Sequence, residues 1–281
     1  MAQSSDVNSE QFSKQTEWAR VLWHAYLTGD QSHLDAKVMA MRRMFKALPA
    51  DPRCGVCNAP FCGIGGIVLR PLGFGAGRSS FNRSLCDRCE KIVKKYQVGI
   101  ELELTMLFAD VRGSTTLAEE IGPSAFHHLI NRYYQVCTEV LDRSNALINR
   151  LIGDALIALY VPGIAGPDRT QLAVEAAREL LKATGHTDAG GPWIQVGIGI
   201  HTGTAYLGAV GSGNSLSDIT VLGDAANTAA RLSSQAAGGE ILVSEEARQS
   251  GNLKMEDYEL RTLQLKGRNE PVDVRVIRVS P

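Results

Sequence analysis

Long hydrophobic runs are missing from this chain. No uninterrupted apolar stretch approaches the roughly 20 residues needed to span a bilayer, so the sequence predicts no membrane-spanning helix. The first residues, Met1 to Glu10, are polar and lack the apolar centre of a signal peptide, which gives an expectation of cytoplasmic location. Excess charge is missing too: the net charge of −1 gives the molecule as a whole no electrostatic case for nucleic acid or an anionic membrane. A cytoplasmic chain has little use for disulfides, so its six cysteines need another purpose. What is present is ordinary for a globular protein, with 44% hydrophobic and 21% charged residues. At 281 residues there is room for one substantial domain and a smaller one.

Three segments follow from patterning. Residues 1–50 form an N-terminal helical segment: a polar leader over residues 1–12, then a helical pattern from Gln15 to about Leu48. Trp18, Val21, Leu22 and Tyr26 share one face, and Leu34, Val38, Met41, Met44 and Phe45 follow a break at Asp30–Ser32. Residues 51–99 hold Cys54-Gly-Val-Cys57 and, after a glycine-rich stretch, Cys86-Asp-Arg-Cys89. Two Cys-x-x-Cys pairs have the spacing of a structural zinc site, with Cys62 nearby as a spare or substitute ligand. A redox dithiol and an iron–sulfur site remain alternatives. A small glycine-rich module buries little, so a structural Zn²⁺ would supply its folding energy. Basic residues outnumber acidic ones eight to three between Asp51 and Ile100, which allows a nucleic-acid-binding ribbon but describes a solvated basic face equally well.

Residues 100–281 alternate strand and helix. Leu104–Val111 is a strand carrying one carboxylate, Asp110, followed by the turn Arg112-Gly113-Ser114-Thr115 and a helix from Thr116. The best helical pattern runs from Ser124 to Asp142, with a buried stripe from Phe126 to Leu141; His127 and His128 beside it read as packing or surface. Asn145–Val161 is a hairpin hinged at Gly153-Asp154, and Arg169–Thr184 is a helix. Trp193–His201 and Thr204–Val210 read as paired strands across Thr202-Gly203, and Gly211–Ser215 as a flexible loop. Ile219–Leu222, Ile241–Val243 and a Tyr258–Leu265/Val272–Val279 hairpin complete the strands, with a helix over Asp224–Ala236. The class is α+β, a ferredoxin-like βαββαβ arrangement with additions. It brings Asp110 and Asp154 to the ends of adjacent central strands.

Two carboxylates beside a turn with free N–H groups suit two-metal phosphoryl transfer. One metal would lower the pKa of an attacking hydroxyl, and the other would hold a triphosphate. Asn227 and Arg231, at i and i+4, share a helix face where an amide could orient a ribose and a guanidinium could meet transition-state charge. Lys266-Gly267-Arg268 could add a phosphate contact. The segments Phe108-Ala-Asp110-Val-Arg-Gly-Ser-Thr, Ile152-Gly-Asp154, Leu222-Gly-Asp-Ala-Ala-Asn227-Thr-Ala-Ala-Arg231 and Leu265-Lys266-Gly267 together resemble the class III nucleotide cyclase catalytic domain over about residues 100–280.

The resemblance implies a head-to-tail homodimer with two equivalent sites at its interface, and a nucleoside triphosphate substrate. Asp110 and Asp154 would bind two divalent cations (Mn²⁺ or Mg²⁺), with Gly113, Ser114, Thr115 and Lys266 on phosphate. Asn227 would orient the ribose and Arg231 would serve the transition state. Adenylyl cyclases usually carry Lys four residues before the second aspartate, where this chain has Arg150; the second base selector is Thr220. The Gly208–Ser217 stretch lacks a basic residue often found there. Arg150 resembles the pyrimidine cyclases of bacterial Pycsar anti-phage systems, and Arg to a carbonyl with Thr to N3–H suits uracil. The sequence thus favours UTP and cyclic UMP. The alternatives are an adenylate cyclase making cyclic AMP and a catalytically silent sensor or zinc-ribbon binding module. A diguanylate cyclase is disfavoured by the missing Gly-Gly-Asp/Glu-Glu-Phe turn.

Overall fold

The computed structural model describes residues 2–49, 52–72, 77–79, 84–211, 217–268 and 270–279; the side chains of residues 2–12, 72, 148–150 and 152 also lie outside the description. Two compact units emerge, Met1–Leu102 with Tyr206–Val221 and Glu103–Ala205 with Leu222–Pro281. Residues 206–221, read from sequence as part of the C-terminal domain, thus pack with the N-terminal segment.

The first unit opens with α1 (Ala2–Thr28), α2 (Ala36–Ala47), α3 (Gly63–Leu69) and α4 (Asp87–Lys95). The helix α1 begins at Ala2, where the polar sequence predicts a leader; a stretch with no Pro or Gly is compatible with helix. Asp35 caps α2, its carboxylate accepting from the Val38 N–H at 2.8 Å. Trp23, Leu27, Phe45 and Leu85 are fully buried. The Trp23 indole N–H donates to the Leu207 carbonyl at 3.1 Å, satisfying the one polar atom of that ring. Both α3 and α4 lie in the segment read only as a glycine-rich metal module.

The second unit carries β1 (Gly99–Val111, entering from the first unit), α5 (Ser114–Ile121), α6 (Pro123–Arg143), β2 (Leu147–Ile152), β3 (Ala155–Tyr160), α7 (Pro162–Ala165), α8 (Arg169–Ala183) and β4 (Val196–Gly211, passing into the first unit at Tyr206). After β5 (Ser217–Leu222), which pairs with β4, come α9 (Asp224–Gln235), β6 (Glu240–Ser244), α10 (Glu245–Ser250), β7 (Glu259–Leu263) and β8 (Val272–Arg278). The strand order β2-β3-β1-β4-β6-β8-β7 contains the expected ferredoxin-like core and extends it on one side. Sheet faces alternate residue by residue: Ile241 and Val243 of β6 join the core under α6 and α8, while Leu242 joins the cluster under α9.

One expected hairpin is absent. Residues 196–211 form a single strand through Thr202-Gly203. Gly203 lacks a side chain for packing rather than for turning, since a Cβ there would stand 3.0 Å from the Ala225 Cβ. Gly199 is tighter still, with a Cβ falling 2.3 Å from the Ser233 amide nitrogen. These glycines let α9 lie directly on β4.

Candidate active site

β1 delivers Asp110 near its end, opposite Ala155 in the antiparallel register with β3. The next turn reverses through Gly113, whose φ of 66° lies in the left-handed region that glycine enters without steric penalty. Ser114 and Thr115 then start α5, whose first backbone N–H groups have no partner within the helix. The β2–β3 turn supplies Asp154, directly after Gly153, whose carbonyl accepts from the Tyr134 hydroxyl at 2.5 Å. Ser114, Thr115, Gly153 and Asp154 line one cavity of about 510 Å³, with Phe126 and Ile130 of α6 forming its apolar wall. The predicted phosphate-binding turn and one predicted metal carboxylate therefore share a single space.

Asp110 is half-buried and ion-paired with Arg112. The Arg112 Nη1 also donates to the Ser234 carbonyl at 2.9 Å, and its backbone N–H to the Gln195 carbonyl at 2.8 Å, so the guanidinium is anchored independently. Burial pushes the Asp110 carboxyl above the usual carboxylate range; the Arg112 charge opposes the shift and the nearby Asp154 charge adds to it. Two hard oxygen donors that repel one another at adjoining strand ends fit a divalent cation such as Mg²⁺ or Mn²⁺, which would relieve that repulsion. Sequence reading passed over Arg112 as a turn residue and did not single out Tyr134. A basic residue two positions after a strand-end acid was the available signal for the first.

The second set of residues assembles on α9. Asn227 is exposed and Arg231 half-buried one turn later. The Arg231 guanidinium lies over the Lys266-Gly267 turn, where a Cβ on Gly267 would stand 3.3 Å from Nη2. Arg268 fastens that turn to the helix, donating to the Thr228 hydroxyl at 2.9 Å and reaching the Asp224 carboxylate at 3.5 Å. Lys266 itself is exposed. No residue of α9 lines the cavity that Asp154 shares with Ser114 and Thr115. Of the two base selectors, Arg150 has its backbone opposite Ile157, just after a bulge in β2, and its side chain lies outside the described residues. Thr220 is a half-buried residue of β5, in the first unit. The loop over 212–216 also lies outside the description.

In the first unit, Cys54, Cys57, Cys86 and Cys89 are buried together with their sulfurs all within 4.8 Å of one another. Four thiols converging in this way fit a soft tetrahedral ion such as zinc. Cys62 is exposed, stands at the N-cap of α3 and is no member of the cluster. His127 lines the cavity and, with His128, is exposed on α6, as the helix pattern predicts. No helix among the described residues is long and apolar enough to cross a membrane.

Residues 98–276 match the family described as the adenylate and guanylate cyclase catalytic domain. An adenylate cyclase of Anabaena cylindrica is 32% identical over 192 residues, covering 62% of this chain and 36% of that protein. Adenylate cyclase 1 of Rhizobium meliloti is 28% identical over 180 residues, covering 61% of this chain and 27% of its own. This chain thus spans about a third of the length of the curated relatives. Among solved structures, the guanylyl cyclase Cya2 superposes with a TM-score of 0.58 at 26% identity, covering 65% of this chain and 95% of that one. The adenylyl cyclase CyaB of P. aeruginosa gives 0.54 at 26%, covering 64% and 95%.

Proposed function

The chain belongs to the adenylate and guanylate cyclase catalytic-domain family, and we propose that it converts a ribonucleoside triphosphate, ATP by preference, into a 3′,5′-cyclic nucleotide and pyrophosphate. The observation that carries this reading is the cavity of about 510 Å³ in which Asp154 meets the Ser114–Thr115 helix start. A carboxylate and a helix start lining one space suit a metal-bound triphosphate.

Asp110 and Asp154 hold two divalent cations in this scheme. When bound, the cations activate the ribose 3′-hydroxyl and stabilise the leaving pyrophosphate. The Gly113–Thr115 N–H groups take phosphate oxygens and Lys266 takes the terminal phosphate. Asn227 orients the ribose, and Arg231, steadied by the adjoining turn, meets the charge that develops on the transferred phosphoryl group. A head-to-tail homodimer accommodates the separation of α9 from the cavity lining, each protomer giving its aspartates to one site and its Asn227 and Arg231 to the other.

ATP is favoured because the two named curated relatives are adenylate cyclases. Neither is a uridylate cyclase, and cyclic UMP and an anti-phage role draw no support from them. UTP remains the second reading, on Arg150 in place of the usual Lys: a forked donor would serve a uracil carbonyl. The test is incubation of the purified protein with Mn²⁺ and each of the four ribonucleoside triphosphates, with products identified by mass spectrometry. Cyclic AMP as the main product is expected. Cyclic UMP would move the assignment to the second reading, and no product from any of the four would leave the silent-sensor alternative standing.

A further inference from the structure

The cysteine cluster and the side chains packed around it carry an inference independent of the cyclase reading. Its first half is a tight turn. The Cys54 N–H donates to the Ala59 carbonyl at 2.9 Å, and the Cys54 carbonyl accepts from the Asn58 N–H at 2.8 Å. Asn58 itself takes a φ of 63°, a left-handed conformation that asparagine tolerates. The second half is the start of α4, with Cys86 as its N-cap and Cys89 in its first turn, where the helix end favours negative sulfur. The halves are fastened to each other by the Gly55 N–H on the Ser84 carbonyl at 2.8 Å and the Cys86 N–H on the Cys54 sulfur at 3.3 Å. The Cys57 and Cys86 sulfurs stand 3.9 Å apart. Sulfurs at about 2.3 Å from a tetrahedral zinc lie about 3.8 Å from one another.

Arg42 decides what charge the cluster carries. It is 7% exposed, its Nη1 donates to the Val56 carbonyl inside the first turn, and its Nε has no hydrogen-bond partner. Among the described residues no carboxylate forms an ion pair with it. Val56, whose carbonyl it meets, stands between Cys54 and Cys57, so the guanidinium docks on the turn that carries two of the four sulfurs. A buried guanidinium without a counter-charge is costly. Four neutral thiols, or cysteines oxidised in pairs, would leave Arg42 in that state. Four thiolates on one divalent ion carry a net charge of −2, which supplies its partner.

We propose that Cys54, Cys57, Cys86 and Cys89 bind one zinc ion as a tetrathiolate and that Arg42 is its buried counter-ion. Binding exchanges thiol protons for the metal and transfers no electrons. Arg42 touches no metal; held through Val56, it is a positioning residue that lowers the mutual repulsion of the sulfurs.

Elemental analysis of the purified full chain tests the first half of the proposal. One zinc per chain is expected, and either no stoichiometric metal or iron in its place overturns it. Transfer of zinc to a chromophoric chelator tests the second half. Arg42→Met is expected to release zinc about 10- to 100-fold faster than the parent protein. Arg42→Lys, which keeps the charge, should recover most of the difference. Equal release from the parent and Arg42→Met overturns the counter-ion role. Should Arg42→Met fail to fold, the wild-type chain loaded with cobalt carries the test: a thiolate-to-metal charge-transfer band of four-thiolate intensity is expected, and a two-thiolate band overturns the site.

Discussion

The cysteine-bearing segment and the sheet of the second unit reach order by different routes. In the second unit, apolar residues alternate along β6 and β8 to serve two clusters, one under α6 and α8 and one under α9. Each element is defined by the surface it buries, and the candidate catalytic groups ride on strand ends and a helix face already fixed by packing. In the cysteine segment α3 has seven residues and α4 nine, too short to be stable alone. On α3, Ile64 and Ile67 are each 71% exposed. Beside apolar residues such as Leu85 and Val93, that segment buries four thiols, and the Arg42 guanidinium of α2 docks on their turn. The contrast teaches that a chain can specify structure through surface periodicity or through the spacing of a few ligands, and that the two leave different marks in sequence.

Metal removal is the largest way to sharpen the contrast. Structural zinc in small modules is worth about 10–16 kcal/mol of apparent binding free energy, which is folding free energy there. Stripping zinc with a strong chelator should therefore abolish hydrogen-exchange protection at the Gly55, Cys86 and Glu90 amides while amides of the paired segments 198–200 and 241–243 stay protected. Equal protection with and without metal would erase the distinction between the two regions. Next in size is a change that should spare structure and remove chemistry. Asp110→Ala and Asp154→Ala should each lower cyclic-nucleotide formation by about a thousandfold, the rate equivalent of several kcal/mol of charge stabilisation. Circular dichroism should be unchanged. Product formation at the parent rate would sink the metal assignment.

These two modes of specification explain what the sequence disclosed and what it hid. The helices α6, α8 and α9 were readable because each carries a buried stripe at helical spacing, as Ile130, Tyr133, Cys137 and Leu141 do on α6, and the hairpins because short apolar runs are separated by turn residues. The four-cysteine cluster was readable because each ligand pair is local. Residue 203 misled because glycine marks both turns and close packing, and only the position of Ala225 separates the two. Arg42 was invisible because nothing in its own helix connects it to cysteines 12 or more positions away; the fold alone brings it there. Likewise the cavity wall of Phe126 and Ile130 looked like ordinary core, because a residue lining a pocket and one filling a core have the same apolar character.

A smaller effect probes the polar rim of the second unit. Glu240 is buried, receives two hydrogen bonds from Arg261 at 3.0 and 3.1 Å, one from the Ala237 N–H at 3.1 Å, and pairs with Arg278 at 3.2 Å. The Arg261 hydrogen bonds foremost hold its carboxyl below the usual range. Its folded pKa is thus lower than its unfolded one, so its contribution is complete above the unfolded value and is lost as pH falls through the folded value. Glu240→Gln should cost about 1.5–3 kcal/mol at neutral pH and much less in acid, read from urea unfolding at both. A cost independent of pH would mean that shape rather than charge is what Arg261 recognises.

The smallest expected effect runs opposite in sign at the candidate active site. Asp110 has a folded pKa raised by burial and by Asp154, with Arg112 opposing. The stability tied to its protonated form is present below the unfolded pKa and is lost as pH rises through the folded one. Above its folded pKa the metal-free chain carries a partly buried charged carboxylate, which is a cost to its stability. Asp110→Asn keeps the shape and an acceptor for Arg112, which retains its bond to the Ser234 carbonyl. The metal-free variant should melt about 2–4 °C above the parent at neutral pH, the shift that ~1 kcal/mol gives in a unit of this size. The gain should vanish in acid, where the parent's carboxyl is protonated. Mn²⁺ should raise the melting temperature of the parent more than that of the variant, because only the parent has a repulsion for the ion to relieve. A variant that melts lower would show that the Arg112–Asp110 pair outweighs burial. The carboxylate would then belong, like the cysteine cluster, to what holds its region together.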